Sequence, residues 1–368
     1  MAAKAFLDQH SGCCNGEMKI ERELYKIDQL PIFQNRMYDT ETEAKACPKG
    51  NIRLVESLET GLIYNAAFNP KAMLYDAHYQ NEQAFSPLFQ QYLDSVAKII
   101  ERTMGQDHLV EVGCGKGYFL ETLLKGGFDI TGFDPSYEGT NPRIARHYFR
   151  PGLGIKTNGL ILRHVLEHIE NPIRFLQQLR EATSGSGLIY IEVPCFDWIC
   201  THRAWFDVFY EHVNYFRLSD FHRIFGKVIE SRWLFGKQYL YVVADLADLS
   251  IPKCNAQQRI DFPQDFLRSL TKQSKNKSRA AIWGGASKGV IYALLKSRAG
   301  QPIDLVLDIN PAKQGKYLPA TGLKVYSPEK GLAKLPKGST LYVMNSNYLE
   351  EIKIMSQNSY EYVSVDNE

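Results

Sequence analysis

One skeleton constrains this 368-residue chain more than any other feature: a short apolar strand, a glycine turn, a helix, a second strand and an aspartate, written twice. The first copy reads His108-Leu109-Val110-Glu111-Val112, then Gly113-Cys114-Gly115-Lys116-Gly117. A helix from Tyr118 to Lys125 follows, closed by Gly126-Gly127, and a strand over 129–133 ends at Asp134. The second copy reads Ala280-Ala281-Ile282-Trp283, then Gly284-Gly285-Ala286-Ser287-Lys288-Gly289, a helix, and a strand over 303–307 that ends at Asp308. Strands that alternate with helices wind into a parallel sheet covered on both faces. The expected fold is therefore α/β with two separate Rossmann-like units, which share the skeleton and not the sequence.

The surroundings of the first copy extend it. Phe89, Tyr92, Leu93, Val96, Ile99 and Ile100 repeat at helical spacing before it. After it, strands over 159–162 and 188–193 flank a helix from about Pro172 to Ala182. No clear third strand with an acidic end lies between Tyr137 and Gly159. The expected domains are a small irregular N-terminal lobe over 1–85, the first α/β unit over 86–247, a linker over 248–278 and the second unit over 279–368.

Composition excludes several classes. Hydrophobic residues at 44% and aromatics at 12% supply enough apolar surface to bury, which excludes a disordered chain. A formal charge of +2 leaves no footprint for nucleic acid or an anionic membrane surface. No apolar run reaches spanning length and the N-terminus has no signal-peptide core, so a cytoplasmic protein without membrane insertion is expected. The seven cysteines are scattered, with no Cys-x-x-Cys, as suits a reducing compartment. Adjacent Cys13 and Cys14, even with Cys47, make a poor tetrahedral zinc site, so no metal is expected. Oligomeric state is left open.

The first glycine turn carries chemistry. Its glycines let backbone approach a ligand and present N–H groups at a positive helix end. Asp134, seventeen residues beyond Gly117, can accept ribose hydroxyls, and Glu111 can face a ligand amine. This pattern suits NAD and S-adenosylmethionine alike, and a tight turn without ligand is the plainer alternative. A second constellation is Phe206-Asp207-Val208-Phe209-Tyr210-Glu211-His212-Val213-Asn214-Tyr215-Phe216. Apolar surroundings raise a carboxylate pKa and keep a histidine near neutral, as a general base requires, although a hydrogen-bonded structural cluster would look the same. In the second unit, a glycine turn at a helix end can hold a diphosphate, Lys288 and Lys313 add charge, and Tyr317 offers a stacking face. A docking domain that only completes the fold is the alternative there.

Two stretches carry a resemblance. Leu160-Ile161-Leu162-Arg163-His164-Val165-Leu166-Glu167-His168-Ile169 looks like the fourth-strand segment of class I methyltransferases, over about residues 105–195. Ile282-Trp283-Gly284-Gly285-Ala286-Ser287-Lys288-Gly289, with Asp308-Ile309-Asn310-Pro311 through Pro319 and Gly322-Leu323-Lys324-Val325, resembles the sugar-nucleotide C-methyltransferases of deoxysugar biosynthesis. The whole resemblance runs from about residue 50 to 345. It implies S-adenosylmethionine as cofactor on Glu111, Gly113, Gly115, Gly117 and Asp134. It implies a nucleotide-sugar substrate on Gly284, Lys288, Lys313 and Tyr317, and a setting in cell-surface polysaccharide or modified-sugar biosynthesis. It places the catalytic groups on Glu211, His212, His168 and Tyr79, with His212 as base, Glu211 orienting it, and His168 and Tyr79 donating to an oxyanion. The chain departs from the family at Phe209, where the family carries tyrosine, and at the zinc cysteines, replaced in one place by Ser57-Leu58-Glu59-Thr60. C-methylation of a keto sugar is the leading expectation. O-methylation, an NAD-dependent sugar-nucleotide oxidoreductase and a non-catalytic nucleotide-sugar binder are the rivals.

Overall fold

The computed structural model describes residues 20–73, 85–272 and 279–367. Strands β1 (Glu21–Pro31), β2 (Lys49–Ser57) and β3 (Ile63–Asn65) form an antiparallel sheet where an irregular lobe was expected. The physical reason is that the polar residues which break its pattern are cross-strand partners. Arg22 meets Glu56 and Arg53 meets Glu21, each at 2.7 Å, and such pairs support a sheet whose faces are not cleanly apolar.

The first α/β unit opens with the helix Pro87–Met104, capped by Ser86 at its start and by Gly105 at φ 78° at its end. Phe89, Tyr92, Leu93, Val96 and Ile100 are its buried stripe, each contributing roughly 2 kcal/mol by leaving water. Then come β4 (Leu109–Val112), β5 (Ile130–Phe133), β6 (Ile144–Ala145), β7 (Gly159–Arg163) and β8 (Leu188–Pro194), all parallel. The predicted helices form over Tyr118–Lys125 and Pro172–Ala182. The third strand missing from the sequence pattern is β6, two residues long and followed by Arg146 in place of an acid. Next, β9 (Asn214–Tyr215) leaves this unit to pair with β3 of the N-terminal sheet. Strands β10 (Val228–Leu234) and β11 (Tyr239–Asp245) return antiparallel beside β8, giving the order β10-β11-β8-β7-β4-β5-β6.

The described part of the stretch expected as a linker packs as a strap. Phe266 meets Tyr25 edge-on, and Ser269 Oγ accepts the indole N–H of Trp205 at 2.9 Å. The second unit is a five-stranded parallel sheet of β12 (Ala280–Trp283), β13 (Leu305–Leu307), β14 (Val325–Tyr326), β15 (Thr340–Val343) and β16 (Glu361–Ser364), in the order β14-β13-β12-β15-β16. Its helix Lys288–Arg298 is buried from Gly289 to Lys296. A helix apolar all round needs cover on every side. Here its own sheet covers one side, and the segment of the first unit after Ala204 covers the other, with Trp205 stacked on Tyr292 at 5.2 Å. That packing brings both glycine turns to one cleft. Among the described residues no helix is long and apolar enough to cross a membrane.

Candidate active site

At the first turn, Gly113 N–H donates to the Phe133 carbonyl and Gly115 N–H to Asp134 Oδ2, both at 2.8 Å. Asp134 Oδ1 accepts from the Ser136 N–H and hydroxyl. The aspartate expected at the ribose is therefore engaged in holding the turn, and it does not line the cleft among the described residues. Gly117, at φ 81°, caps the following helix; a Cβ there would lie 2.5 Å from Ile144, so its place is geometric. Gly115 faces open space. Glu111 is buried, and its Oε2 meets no hydrogen-bond partner among the described residues. Burial pushes its pKa up to about 7, with Arg163 opposing. An orphaned carboxylate beside an open glycine is a fitting receptor for a ligand ammonium.

Next to it lies a buried network that sequence reasoning missed. Glu192 accepts from Arg163 at 3.0 Å, from Tyr190 at 2.7 Å and from Tyr92. His164, at φ 53°, sits between Glu192 Oε1 at 3.0 Å and Glu167 Oε1 at 3.3 Å. Burial alone would lower the His164 pKa, but the two carboxylates outweigh it and push it up to about 9. Burial also opposes ionisation of Glu192, yet Arg163 and His164 hold it well below the usual range. Arg163 and His164 meet Glu192 across the neighbouring strands β7 and β8, and Tyr92 reaches it from a helix, so no local spacing betrays those contacts.

Between the turns lies the segment 205–216. His212 is buried, its ring 4.1 Å from that of Phe209 and 5.0 Å, edge-on, from that of His168. Burial first, then His168, His164 and Lys288, hold its pKa well below the ordinary value, so the imidazole is neutral. His168 Nδ1 donates to the Glu211 carbonyl at 2.8 Å. The Glu211 carboxylate turns to the N-terminal lobe, where Oε2 accepts the Gln34 N–H at 2.9 Å. Tyr79, Cys13 and Cys14 lie outside the described residues; Cys47 is a buried free thiol.

The second turn repeats the first. Gly284 N–H donates to the Leu307 carbonyl and Gly285 N–H to Asp308 Oδ2, again at 2.8 Å. Lys313 pairs with Asp308 at 3.2 Å. Lys288 reaches across into the first unit, to Asp207 at 3.0 Å, Gln238 at 2.8 Å and the face of Trp198 at 4.9 Å. Tyr317 lies apart from the cleft, in backbone pairing with Tyr38. A single cavity of about 400 Å³ is thus lined by Glu111 and Gly115 from one turn, His168 and His212 between, and Gly284 and Lys313 from the other.

Residues 79–228 match a family described as a methyltransferase domain, and residues 247–363 match one described as a C-methyltransferase C-terminal domain. No curated protein matches the chain. Among solved structures, a SAM-dependent methyltransferase from Aquifex aeolicus is 14% identical, with 45% of this chain and 95% of that one covered at a TM-score of 0.34. The 1,6-didemethyltoxoflavin-N1-methyltransferase of Burkholderia thailandensis is 14% identical, with 50% and 95% covered and a TM-score of 0.33. A SAM-dependent methyltransferase from Archaeoglobus fulgidus is 17% identical, with 45% and 100% covered and a TM-score of 0.33.

Proposed function

Since this chain is an S-adenosylmethionine-dependent methyltransferase with a C-methyltransferase C-terminal domain, we propose that it methylates a nucleotide-linked keto sugar at carbon. The observation that carries the reading is the shared cleft: a neutral, buried histidine stands between two glycine turns of opposite units. Glu111, Gly113 and Gly115 hold the cofactor, which supplies an electrophilic methyl group. The nucleotide lies toward Gly284 and Lys313, in a cytoplasmic route to modified sugars or surface polysaccharide. His212 removes the proton next to the sugar carbonyl, and the C–H electron pair passes into the enolate; His168, whose Nδ1–H is held by the Glu211 carbonyl, donates to the enolate oxygen from Nε2 only as an imidazolium. Held at the first turn, S-adenosylmethionine would supply the methyl group to the enolate carbon, and the electron pair of the broken S–CH3 bond would stay on sulfur in S-adenosylhomocysteine. Lys288 and Asp207 neutralise each other at the cleft wall, and Tyr317 is given no role.

One observation favours a second reading, O-methylation with the same base: the apolar ring of Phe209 packs on His212 where an oxyanion donor would help an enolate. NMR of the product decides, by whether the new methyl sits on carbon or oxygen. The first experiment is thermal unfolding with S-adenosylhomocysteine, NAD and a panel of nucleoside diphosphates. A ligand at a hundred times its Kd adds about 2.7 kcal/mol of stability. Shifts with S-adenosylhomocysteine and with one nucleoside diphosphate are expected; no nucleotide response would sink the sugar-nucleotide reading. His212→Ala is expected to lower turnover at least about a hundredfold, and wild-type turnover would remove the base.

A further inference from the structure

The base as described has no partner for its protonated form. The titratable and charged groups that face His212 are Glu167 and His168 from the turn Leu166–His168, His164 at the end of β7, Lys288 with its partner Asp207, its neighbour Glu211, and Tyr215, whose hydroxyl is held by the Phe209 backbone. Two of the three carboxylates are engaged elsewhere, Glu211 with the Gln34 N–H and Asp207 with Lys288.

Glu167 differs. Two hydrogen bonds clamp its turn to the chain on either side of His212: Val213 N–H donates to the Glu167 carbonyl, and His168 Nδ1 donates to the Glu211 carbonyl, both at 2.8 Å. The clamp brings one polar side-chain atom each of Glu167, His168 and His212 within 4.8 Å of one another. His164 anchors Glu167 Oε1 at 3.3 Å, while Oε2 is buried and meets no hydrogen-bond partner among the described residues. A buried carboxylate oxygen left without a donor is costly, which marks it as a place kept for one.

We infer that Glu167 is the positioning residue of the base: its open oxygen receives the imidazolium N–H of His212 once that ring has taken the substrate proton. The inference rests on the reading of His212 as base. The proton stays on His212, the C–H electron pair stays with the enolate, and Glu167 changes no protonation state. A carboxylate behind a catalytic histidine acts in this way in the serine-hydrolase triad. Sequence adjacency pointed to Glu211; the structure assigns the role to a glutamate 45 positions upstream of the histidine.

The test is NMR of the full chain with ¹³C-labelled histidine, saturated with S-adenosylhomocysteine and titrated with acid, His212 being assigned from the signal lost in His212→Asn. In the wild type, His212 is expected to become protonated above pH 5, despite its burial. In Glu167→Gln its midpoint is expected to fall by about one pH unit or more, the usual effect of losing an opposite charge at 4–6 Å. Glu167→Asp restores part of the shift, and binding of S-adenosylhomocysteine is unchanged in both variants. A wild-type His212 that stays neutral down to pH 5, or equal midpoints in wild type and Glu167→Gln, overturns the inference. Should Glu167→Gln not fold, the wild type still decides, because a carboxylate-bound imidazolium gives a downfield, slowly exchanging N–H signal and a solvent-facing one does not. None of these readouts needs a sugar. Failure to methylate any nucleotide sugar would strike the proposed function alone, and an unpaired His212 would strike Glu167 alone.

Discussion

The two glycine turns are built with the same bonds and put to different ends. In each, a first glycine donates to the neighbouring strand, a later glycine donates to the strand-ending aspartate, and that aspartate's other oxygen caps the chain two residues on, at Ser136 in one unit and Asn310 in the other. The first turn is left open, with free space over Gly115 and an orphaned carboxylate at Glu111. The second is more crowded, although Gly284 and Lys313 still line the cavity. A Cβ on Gly289 would lie 1.9 Å from the Gly284 carbonyl oxygen, Lys313 neutralises Asp308, and Ser287 is held at φ 37° by Gln34 and Asn35 of the N-terminal lobe. A shared skeleton therefore fixes how the chain turns, while the neighbours decide how much of the turn is left to a ligand.

The same substitution in the two turns should separate them most sharply. Gly289→Ala drives a methyl into backbone that cannot rotate away, and about 3 kcal/mol or more of stability is expected to be lost. Gly115→Ala meets no atom and carries only the strain of a side chain at φ 55°, about 1–2 kcal/mol. Urea unfolding of both variants measures the difference, and equal losses would break the comparison.

Ligand binding should divide in the same way, with smaller effects. Glu111→Gln removes a charge-assisted bond worth roughly 1.5–3 kcal/mol, so S-adenosylhomocysteine should bind about ten- to a hundredfold more weakly. Nucleoside diphosphate binding should be unchanged. Lys313→Met should weaken the nucleoside diphosphate about tenfold and leave S-adenosylhomocysteine alone. Calorimetry on both variants shows whether the two turns hold separate ligands, and loss of both ligands in either variant would merge them into one site.

How far the sequence revealed this division depends on the range of the interactions. Both turns are legible because glycine, helix period and terminal aspartate are local signals, and Glu111, Gly113, Gly115, His168 and His212 all come to the one cleft. The N-terminal sheet is not, because Arg22 and Arg53 find their carboxylates on another strand and read as loop polarity in isolation. Strand β6 is too short to show a period. His164 and Glu192 are 28 positions apart and meet only because β7 and β8 are neighbours. Side-chain direction is the least legible quantity. Glu211 adjoins His212 in sequence yet faces Gln34, and Lys288 opens the second unit's helix yet binds Asp207 of the first.

Proton linkage gives the finest test of the contrast. Burial lifts the Glu111 pKa from its ordinary 4.5 to about 7. The folded, ligand-free protein therefore holds that proton more tightly than the unfolded chain does. The resulting stability is complete below pH 4.5 and is lost as pH rises through 7, by roughly 3 kcal/mol for a shift of this size. A bound ammonium needs the ionised carboxylate, so affinity for S-adenosylhomocysteine should rise about tenfold between pH 6 and pH 8 and level off above. Glu111→Gln should flatten that slope. The equivalent position two residues before Gly284 is Ile282, fully buried and without charge. A nucleotide-diphosphate sugar, whose phosphodiesters keep a fixed charge over this range, should therefore bind the second turn with no comparable slope. Parallel slopes for the two ligands would mean that Glu111 serves both turns and that the open and the crowded turn are one site.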